Sequence, residues 1–424
     1  MINQFISKSK PRQLFFLVLA CELINLVYYA AYLYKNHYLP APFALDKNDT
    51  LMDFYNPLFG VIKDSFYTTF NSIYPALNYF FLKIFAIGIS PDNISTPFQL
   101  RNDFPVPGLV VSFLYLLIIW LVVHIGEWKK IQFCNKGLIF LACVLSVPVL
   151  FGFERGNLVF LALLFLALYL NASNSWAKAI FLGLLINVKP YFVILLIQYL
   201  NIQQFNKFDL IRSILISAAV FFGLGLLAGM NFIDFFKAYI SFNKNTTLSV
   251  EGVIALPHSI TALSKINALI NFGEGSRYTF WFSLVKVVNY LAIIALFCIA
   301  LLRKLTPLEL LISCFVILTN FSINTGGYIL IIYIVLIPYL IQSSEYRKLI
   351  IYIIFISAIP IDYFNILNVN YSVLSSYLGG NYPLIDHDFF ISLGSVIRPL
   401  LNFALLINFL WCLLKKYPKV NEAK

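Results

Sequence analysis

Long apolar runs, interrupted by short polar stretches, occupy most of this chain. A helix needs about 20 mostly apolar residues to cross a bilayer, and fewer where it is tilted into protein. We expect spanning helices at 13–34, 109–126, 138–153, 157–171, 210–230, 279–302, 308–323, 326–342, 348–366 and 395–415, whereas the apolar pieces 74–90 and 178–200 are harder to assign. The pattern predicts an all-α polytopic membrane protein with about 10–12 transmembrane helices.

Composition supports this class. Of the 424 residues, 60% are hydrophobic and only 12% are charged, against roughly 25% charged residues in soluble domains. No long polar block is present, so we expect one integral membrane domain over 1–424. The net charge of +11 is explained by the excess of Lys and Arg in cytoplasmic loops, and a nucleic-acid partner is not needed to account for it.

The basic residues predict the orientation. Their clusters fall on one side if 74–90 does not cross and 178–200 enters and returns as a broken element. Both termini are then cytoplasmic, and the loops 35–108, 231–278 and 367–394 are extracytoplasmic. We expect an uncleaved first span rather than a signal peptide, and a bacterial plasma membrane as the location.

The first outer loop is rich in aromatic residues between positions 55 and 90. This content predicts one or two amphipathic helices that lie along the membrane surface. Prolines at 57, 75 and 91 are expected to separate them.

The same loop holds the first candidate for chemistry. Asp53 lies between aromatic residues just beyond the first apolar segment. A carboxylate placed there can accept a proton from a sugar hydroxyl. Asp64, Asp46 and Asp49 are alternatives in the same loop, and each could be a solvated loop acid instead.

A short charged turn between two apolar runs is the second candidate. Gly156 suits a tight turn, and the charges beside it could simply face headgroups. However, Arg155 would lie outside, where basic residues are disfavoured, and a guanidinium there can bind a phosphate with paired donors. Asn157 would begin the next helix, whose N-terminus also favours an anion.

Lys189 is the third candidate, because it lies in the middle of the apolar piece 178–200. Pro190 disfavours helical geometry at Lys189 and removes a backbone donor, which predicts a broken, re-entrant element that lines a cavity. Snorkelling of Lys189 to headgroups is the alternative. Tyr191 follows in the same motif.

Polar groups in two later outer loops complete the set. A Gly-rich turn precedes Tyr328 and could line a substrate or be a simple turn. His258 in the second outer loop could add another polar group, although a single His is more often structural. The sequence gives little support for metal binding. The best candidate ligand set is Asp386, His387 and Asp388, and three neighbouring residues on one short loop are weak evidence for a metal site.

The order of these motifs resembles the integral membrane glycosyltransferases of the GT-C superfamily. The pattern is an acid in the first outer loop, then Tyr74-Pro75, then Arg155-Gly156-Asn157, then Lys189-Pro190-Tyr191, and it is most similar to glycosyltransferase family 87. The resemblance covers about residues 13–345. This chain offers one acid where some relatives carry two, and its late Gly-Gly-Tyr lacks the His of certain members.

The resemblance implies a GT-C-like bundle, a polyprenyl-phosphate sugar as donor and an inverting transfer to a glycolipid or glycan acceptor. The sugar would be a hexose such as mannose, and no cofactor would be needed. By position, Asp53 corresponds to the catalytic Asp, Tyr74 to the aromatic residue before Pro75, and Lys189 to the Lys of the later motif.

Two other classes stay open. A secondary transporter or lipid flippase should show two related halves with broken helices at matching positions, whereas we find one break, at 187–191. A polysaccharide polymerase or ligase should carry a large outer loop rich in Arg and His, whereas 231–278 holds only Arg277 and His258.

Overall fold

A computed structural model describes most of the chain. The described residues are 11–37, 39–40, 43, 49–70, 72–131, 135–201, 206–244, 258–260, 263, 277–321, 326–358, 365–370 and 388–417. Of the expected site residues, all eight lie in these ranges, whereas Asp46, Asp386 and His387 lie outside them.

The described chain is mostly helical. Its helices are α1 Pro11–Asn36, α2 Met52–Ile62, α3 Ala76–Ala86, α4 Pro97–Asp103, α5 Val106–His124, α6 Lys136–Leu145, α7 Val147–Arg155, α8 Val159–Asn171, α9 Ser175–Val188, α10 Ile197–Leu200, α11 Lys207–Leu227, α12 Phe232–Lys244, α13 Arg277–Leu302, α14 Pro307–Phe321, α15 Tyr333–Gln342, α16 Ile350–Ser357 and α17 Leu393–Lys416. Short 3-10 helices cover Pro91–Asn93, Gly126–Lys130, Pro190–Leu196, Gly327–Ile332 and Arg347–Leu349.

Several of these helices can cross a membrane. Within the described ranges, five are long and apolar enough, namely Phe15–Asn36, Val106–His124, Lys207–Leu227, Ser283–Leu302 and Leu393–Lys416. The pair α6 and α7 would make a sixth, although it bends by 64° at Ser146. The bend follows from Pro148, which has no N–H to donate to the preceding turn. The chain is therefore a multi-pass helical membrane protein.

The count of full-length spans is smaller than the ten segments that the sequence predicts. The segments 157–171 and 308–323 form helices of 13 and 15 residues, which are shorter than a bilayer requires unless it is locally thinned. The predicted span 348–366 is wrong in its second half, because α16 ends at Ser357 and Asn365 begins a strand. Apolar composition alone does not distinguish a strand from the end of a helix.

The predicted all-α fold needs one addition, which lies at the predicted third outer loop. Strands β1 Asn365–Asn370 and β2 Asp388–Ser392 pair in antiparallel register. Ser392 then caps α17, because its side chain accepts a hydrogen bond from the Ser395 N–H.

The segment predicted to be the first outer loop forms the expected short helices. Pro75 directly precedes α3 and Pro91 begins a 3-10 turn, as predicted, whereas Pro57 lies inside α2. Phe54 and Leu58 of α2 are fully buried, and burial of such side chains, worth about 1.5–3 kcal/mol each, outweighs the roughly 3 kcal/mol that an interior proline costs.

Candidate functional site

Asp53 lies in the first turn of α2. The turn begins at Leu51, whose φ of 61° is the left-handed conformation. Leu51 is held there by its backbone N–H, which donates to the Glu154 carbonyl at 2.7 Å. This contact joins the start of α2 to the end of α7 and places Asp53 beside the charged turn.

Both oxygens of the Asp53 carboxylate accept hydrogen bonds from that turn. The Arg155 Nη2 atom donates to Oδ1 at 2.8 Å, and the Asn157 Nδ2 atom donates to Oδ2 at 2.7 Å. A carboxylate has about four acceptor positions, so each oxygen keeps capacity for another donor. The Asp53 side chain is 18% exposed, which leaves the group accessible to a substrate hydroxyl.

Arg155 is held between two acids. Besides Asp53, its Nη1 atom lies 3.6 Å from Asp49 Oδ2. Its role in this geometry is therefore to orient Asp53, and any phosphate contact would be shared with the carboxylates. Asn157 is fully buried, and its Oδ1 atom accepts from the Val159 N–H at the start of α8.

Gly156 makes the tight turn possible. Its φ is 66°, a conformation that glycine adopts without steric cost. A Cβ atom there would lie 3.0 Å from the Phe54 Cβ and 3.1 Å from the Leu51 Cα. The Gly156 carbonyl accepts a hydrogen bond from the Tyr115 hydroxyl at 3.1 Å. The turn is thus packed directly on the Asp53 segment and supported from α5.

The predicted break at Lys189 is confirmed. Helix α9 ends at Val188, Lys189 is extended with φ −141° and ψ 106°, and Pro190 begins a 3-10 helix. Lys189 is only 8% exposed, and its Nζ atom lies 4.9 Å from the centre of the Tyr74 ring and 5.7 Å from that of Tyr328. Its ammonium has no hydrogen-bond acceptor or carboxylate partner among the described residues.

Two buried amides join the Lys189 break to the start of α3. Asn78 donates from Nδ2 to the Val188 carbonyl at 2.9 Å, and the Asn187 Oδ1 atom accepts from the Leu77 N–H at 3.1 Å. Both side chains are fully buried. They hold Tyr74, which directly precedes α3, beside Lys189.

Tyr74 and Tyr328 lie close to the Lys189 ammonium, and both interact electrostatically with Asp53. Burial first, and then the negative charge of Asp53, raise the pKa of Tyr74 well above its ordinary value. Tyr74 therefore stays neutral and can donate a hydrogen bond. Tyr328 interacts electrostatically with Asp53 and Arg155, and its ring is stacked with Phe151 at 6.0 Å.

The structure thus brings six expected site residues into one cluster, which we call the Asp53 cluster. It consists of Asp53, Arg155, Asn157, Lys189, Tyr74 and Tyr328, where Asp53 interacts electrostatically with Lys189. Tyr191 borders it through Tyr328, and the buried Tyr191 hydroxyl has no hydrogen-bond partner in the described part of the chain.

Other expected residues lie elsewhere. The His258 backbone carbonyl accepts from Asn402 Nδ2 at 2.8 Å, in a buried network with Thr319 and Tyr333. Asp64 lies just beyond the other end of α2 from Asp53. No cluster of three or more metal-binding side chains is found within the described ranges.

Three residues of the site carry weak signals in the sequence. Asn78 and Asn187 are polar positions in apolar segments, which is a general reason to expect buried hydrogen bonds. Tyr115 is an aromatic residue within an apolar span, and nothing local distinguishes it from a core residue.

The fold and the cluster define a helical multi-pass membrane protein with a buried polar site at the start of its second helix. No family model, no curated protein and no solved structure matches the chain.

Proposed function

We propose that this chain is a membrane glycosyltransferase. It moves a sugar, a hexose such as mannose, from a polyprenyl-phosphate donor to a hydroxyl of a glycolipid or glycan acceptor. The observation that carries the proposal is an oriented carboxylate, Asp53, in the same cluster as a buried ammonium, Lys189, that forms no salt bridge or hydrogen bond with an acid among the described residues. We further propose a GT-C-like bundle of about 10–12 spans, with the cluster on the extracytoplasmic side.

Asp53 is the general base of the proposed reaction. Hydrogen bonds from Arg155 and Asn157 fix the orientation of the carboxylate. The acceptor hydroxyl attacks C1 of the donor sugar and its proton passes to a free lone pair of Asp53. The bond between C1 and the phosphate oxygen breaks, and polyprenyl phosphate leaves with the electron pair. Attack from the opposite face inverts the anomeric configuration.

Lys189 is the partner of the donor phosphate. An ammonium that is only 8% exposed gains more from a phosphate than one in water, because the local dielectric constant is low. Negative charge builds up on the phosphate as the glycosidic bond breaks, so Lys189 stabilises the transition state. Phosphate is a sufficient leaving group without a metal or an acid.

The test is sugar transfer by the purified protein. Synthetic polyprenyl-phosphate sugars are incubated with a panel of acceptors, and products are read by mass spectrometry. We expect Asp53→Asn to lower the transfer rate by about 10²–10⁴-fold, because the amide cannot take the proton. A fully active Asp53→Asn variant would remove Asp53 from the catalytic role.

Asp64→Asn is the matched control. Asp64 follows the same helix and has a φ of 49°, which Asn tolerates well. We expect this variant to keep wild-type transfer. Size-exclusion profiles and unfolding temperatures of both variants separate loss of chemistry from loss of folding.

A transporter or flippase is the second candidate. The break at Lys189 and the 64° bend at Ser146 are interruptions of the kind found in transporter helices. Lipid or sugar movement across reconstituted vesicles, with no transfer product from any donor, would favour this class over the enzyme.

A further inference from the structure

A cavity of about 70 Å³ lies apart from the Asp53 cluster. It is partly open and is lined by residues of α1, of the bend between α6 and α7, and of α15 and α16. Its walls are almost entirely apolar, with Ile331 and Ile353 among them. No residue of the Asp53 cluster is among the described residues that line it.

Glu22 of α1 lines this cavity. Glu22 is 1% exposed, and its buried Oε2 atom has no hydrogen-bond partner among the described residues. An unpaired carboxylate in an apolar setting costs many kcal/mol, so the group is expected to be the neutral acid. A neutral carboxyl group offers one O–H donor and a carbonyl acceptor, and both need a partner.

Trp128 presents a second unused polar atom to the same cavity. Its side chain is packed edge-on against Phe15 at 6.3 Å, and the residue is 2% exposed. Its indole Nε1 atom is buried and has no acceptor within the described ranges. Buried indole N–H groups usually have a hydrogen-bond acceptor as partner. We therefore expect an acceptor oxygen inside the cavity for this one as well.

Two other polar groups in the wall already have hydrogen-bond partners. The Ser146 hydroxyl donates to the Cys143 carbonyl at 2.8 Å, and the Tyr333 hydroxyl donates to Asn402 Oδ1 at 2.7 Å. Glu22 Oε2 and Trp128 Nε1, in contrast, have no partner among the described residues. A bound molecule must therefore carry groups that form hydrogen bonds with them.

We propose that this cavity binds a neutral lipid with a hydroxyl group at its polar end. The hydroxyl donates to the carbonyl oxygen of Glu22 and accepts from its O–H, and oxygen of the same polar end accepts from the Trp128 indole. The apolar chain lies along the isoleucine-rich wall. A plain acyl chain would leave both polar groups unpaired, and a fatty acid anion would bring a buried charge with no cation to pair with it among the described lining residues, so a neutral hydroxyl is the better complement.

The test uses the reactivity of Glu22 in the intact protein. Dicyclohexylcarbodiimide, which is apolar, adds to a protonated carboxyl group and leaves a stable N-acylurea that peptide mass spectrometry assigns to Glu22. We expect dodecanol to slow this labelling at least about tenfold, and dodecane at the same concentration to slow it less than about twofold, because only the alcohol completes the hydrogen bonds.

The matched variant is Trp128→Phe, which keeps the aromatic packing and removes the N–H. We expect it to weaken protection by dodecanol severalfold without changing the labelling rate of the empty site. If it does not fold, the comparison of dodecanol with dodecane on the wild-type protein decides alone. Equal protection by the two compounds, no protection by dodecanol, or faster labelling by a water-soluble carbodiimide would each overturn the proposal.

Discussion

Lys189 combines a charge with an apolar setting. Removing a charge from water costs several kcal/mol, and the two aromatic rings near Lys189 return at most about 2 kcal/mol. The desolvation cost is larger, so the empty site is destabilising in the absence of an anion. Such a cost is expected where a residue is kept for binding rather than for folding.

We therefore predict that Lys189→Met raises the unfolding temperature and lowers sugar transfer. The loss of a charge-assisted contact of about 1.5–3 kcal/mol corresponds to about 10- to 100-fold in transfer efficiency. A thermal shift assay and the transfer assay provide the two readouts. The control is Lys83→Met, because Lys83 is exposed and lies over the Tyr79 ring at 5.5 Å. A lower unfolding temperature for Lys189→Met would contradict this account.

Gly156 tests the contact between the charged turn and α2. In Gly156→Ala, the left-handed backbone costs about 1–2 kcal/mol, and the new Cβ also presses on Phe54 and Leu51. We expect lower stability together with a transfer rate reduced by up to about 100-fold, because Asp53 is displaced.

Gly229→Ala separates strain from displacement. Gly229 has the same φ of 66°, and nothing lies within 4 Å of its Cβ position. We expect a similar loss of stability with unchanged transfer. Equal loss of transfer in the two variants would show that the close approach at Gly156 does not matter.

At the scale of elements, the site depends on how α3 is joined to the break after α9. Asn78 bridges them, with carbonyls of Pro75, Asn187 and Val188 as its acceptors. The joint holds Tyr74 and Lys189 together although they belong to distant segments.

We predict that Asn78→Leu lowers transfer about tenfold or more while costing about 1–3 kcal/mol in stability, because buried carbonyls lose their donor. Asn201→Leu is the control, since Asn201 is also fully buried and donates to the Ala300 and Arg303 carbonyls at 2.6 and 2.7 Å. That variant should lose comparable stability and keep its specific activity. If both lose activity alike, Asn78 has no positioning role.

Local sequence signals predict the individual helices better than they predict the boundaries between them. Pro190 is enough to predict the end of α9, and the glycine at 156 to predict a turn. Pro57, in contrast, does not end α2, because the burial of neighbouring side chains outweighs its local effect. A proline indicates a boundary only where packing does not oppose it.

At the scale of the whole molecule, Glu309 links the start of α14 to the C-terminal end of α17. This fully buried carboxylate at the start of α14 accepts from Lys416 Nζ at 2.8 Å, from the Tyr417 hydroxyl at 3.1 Å and from the Tyr346 hydroxyl. Lys416 also pairs with the exposed Glu345 at 2.8 Å.

We predict that Glu309→Gln destabilises the fold by about 1.5–3 kcal/mol, because a buried carboxylate that accepts a hydrogen bond from the partly exposed Lys416 loses its charge. Glu345→Gln breaks the exposed pair with the same lysine and should cost about 1 kcal/mol or less. Unfolding temperatures of the two variants provide the comparison, and transfer at permissive temperature should survive in both. If the two variants lowered the unfolding temperature alike, Glu309 would not be the main link between α14 and α17.

The sequence by itself determines the class of this protein, a helical multi-pass membrane protein, because bilayer solubility and backbone satisfaction depend on composition along each segment. It also determines the break at Lys189 and the turn at Gly156, which are local consequences of proline and glycine. Tertiary structure alone decides that Arg155 and Asp53, 102 positions apart, share a hydrogen bond, that the His258 carbonyl accepts one from Asn402, and that Glu22 faces an apolar cavity. Such pairings depend on how helices pack, and hydrophobic periodicity along one segment carries no information about which distant segment lies against it.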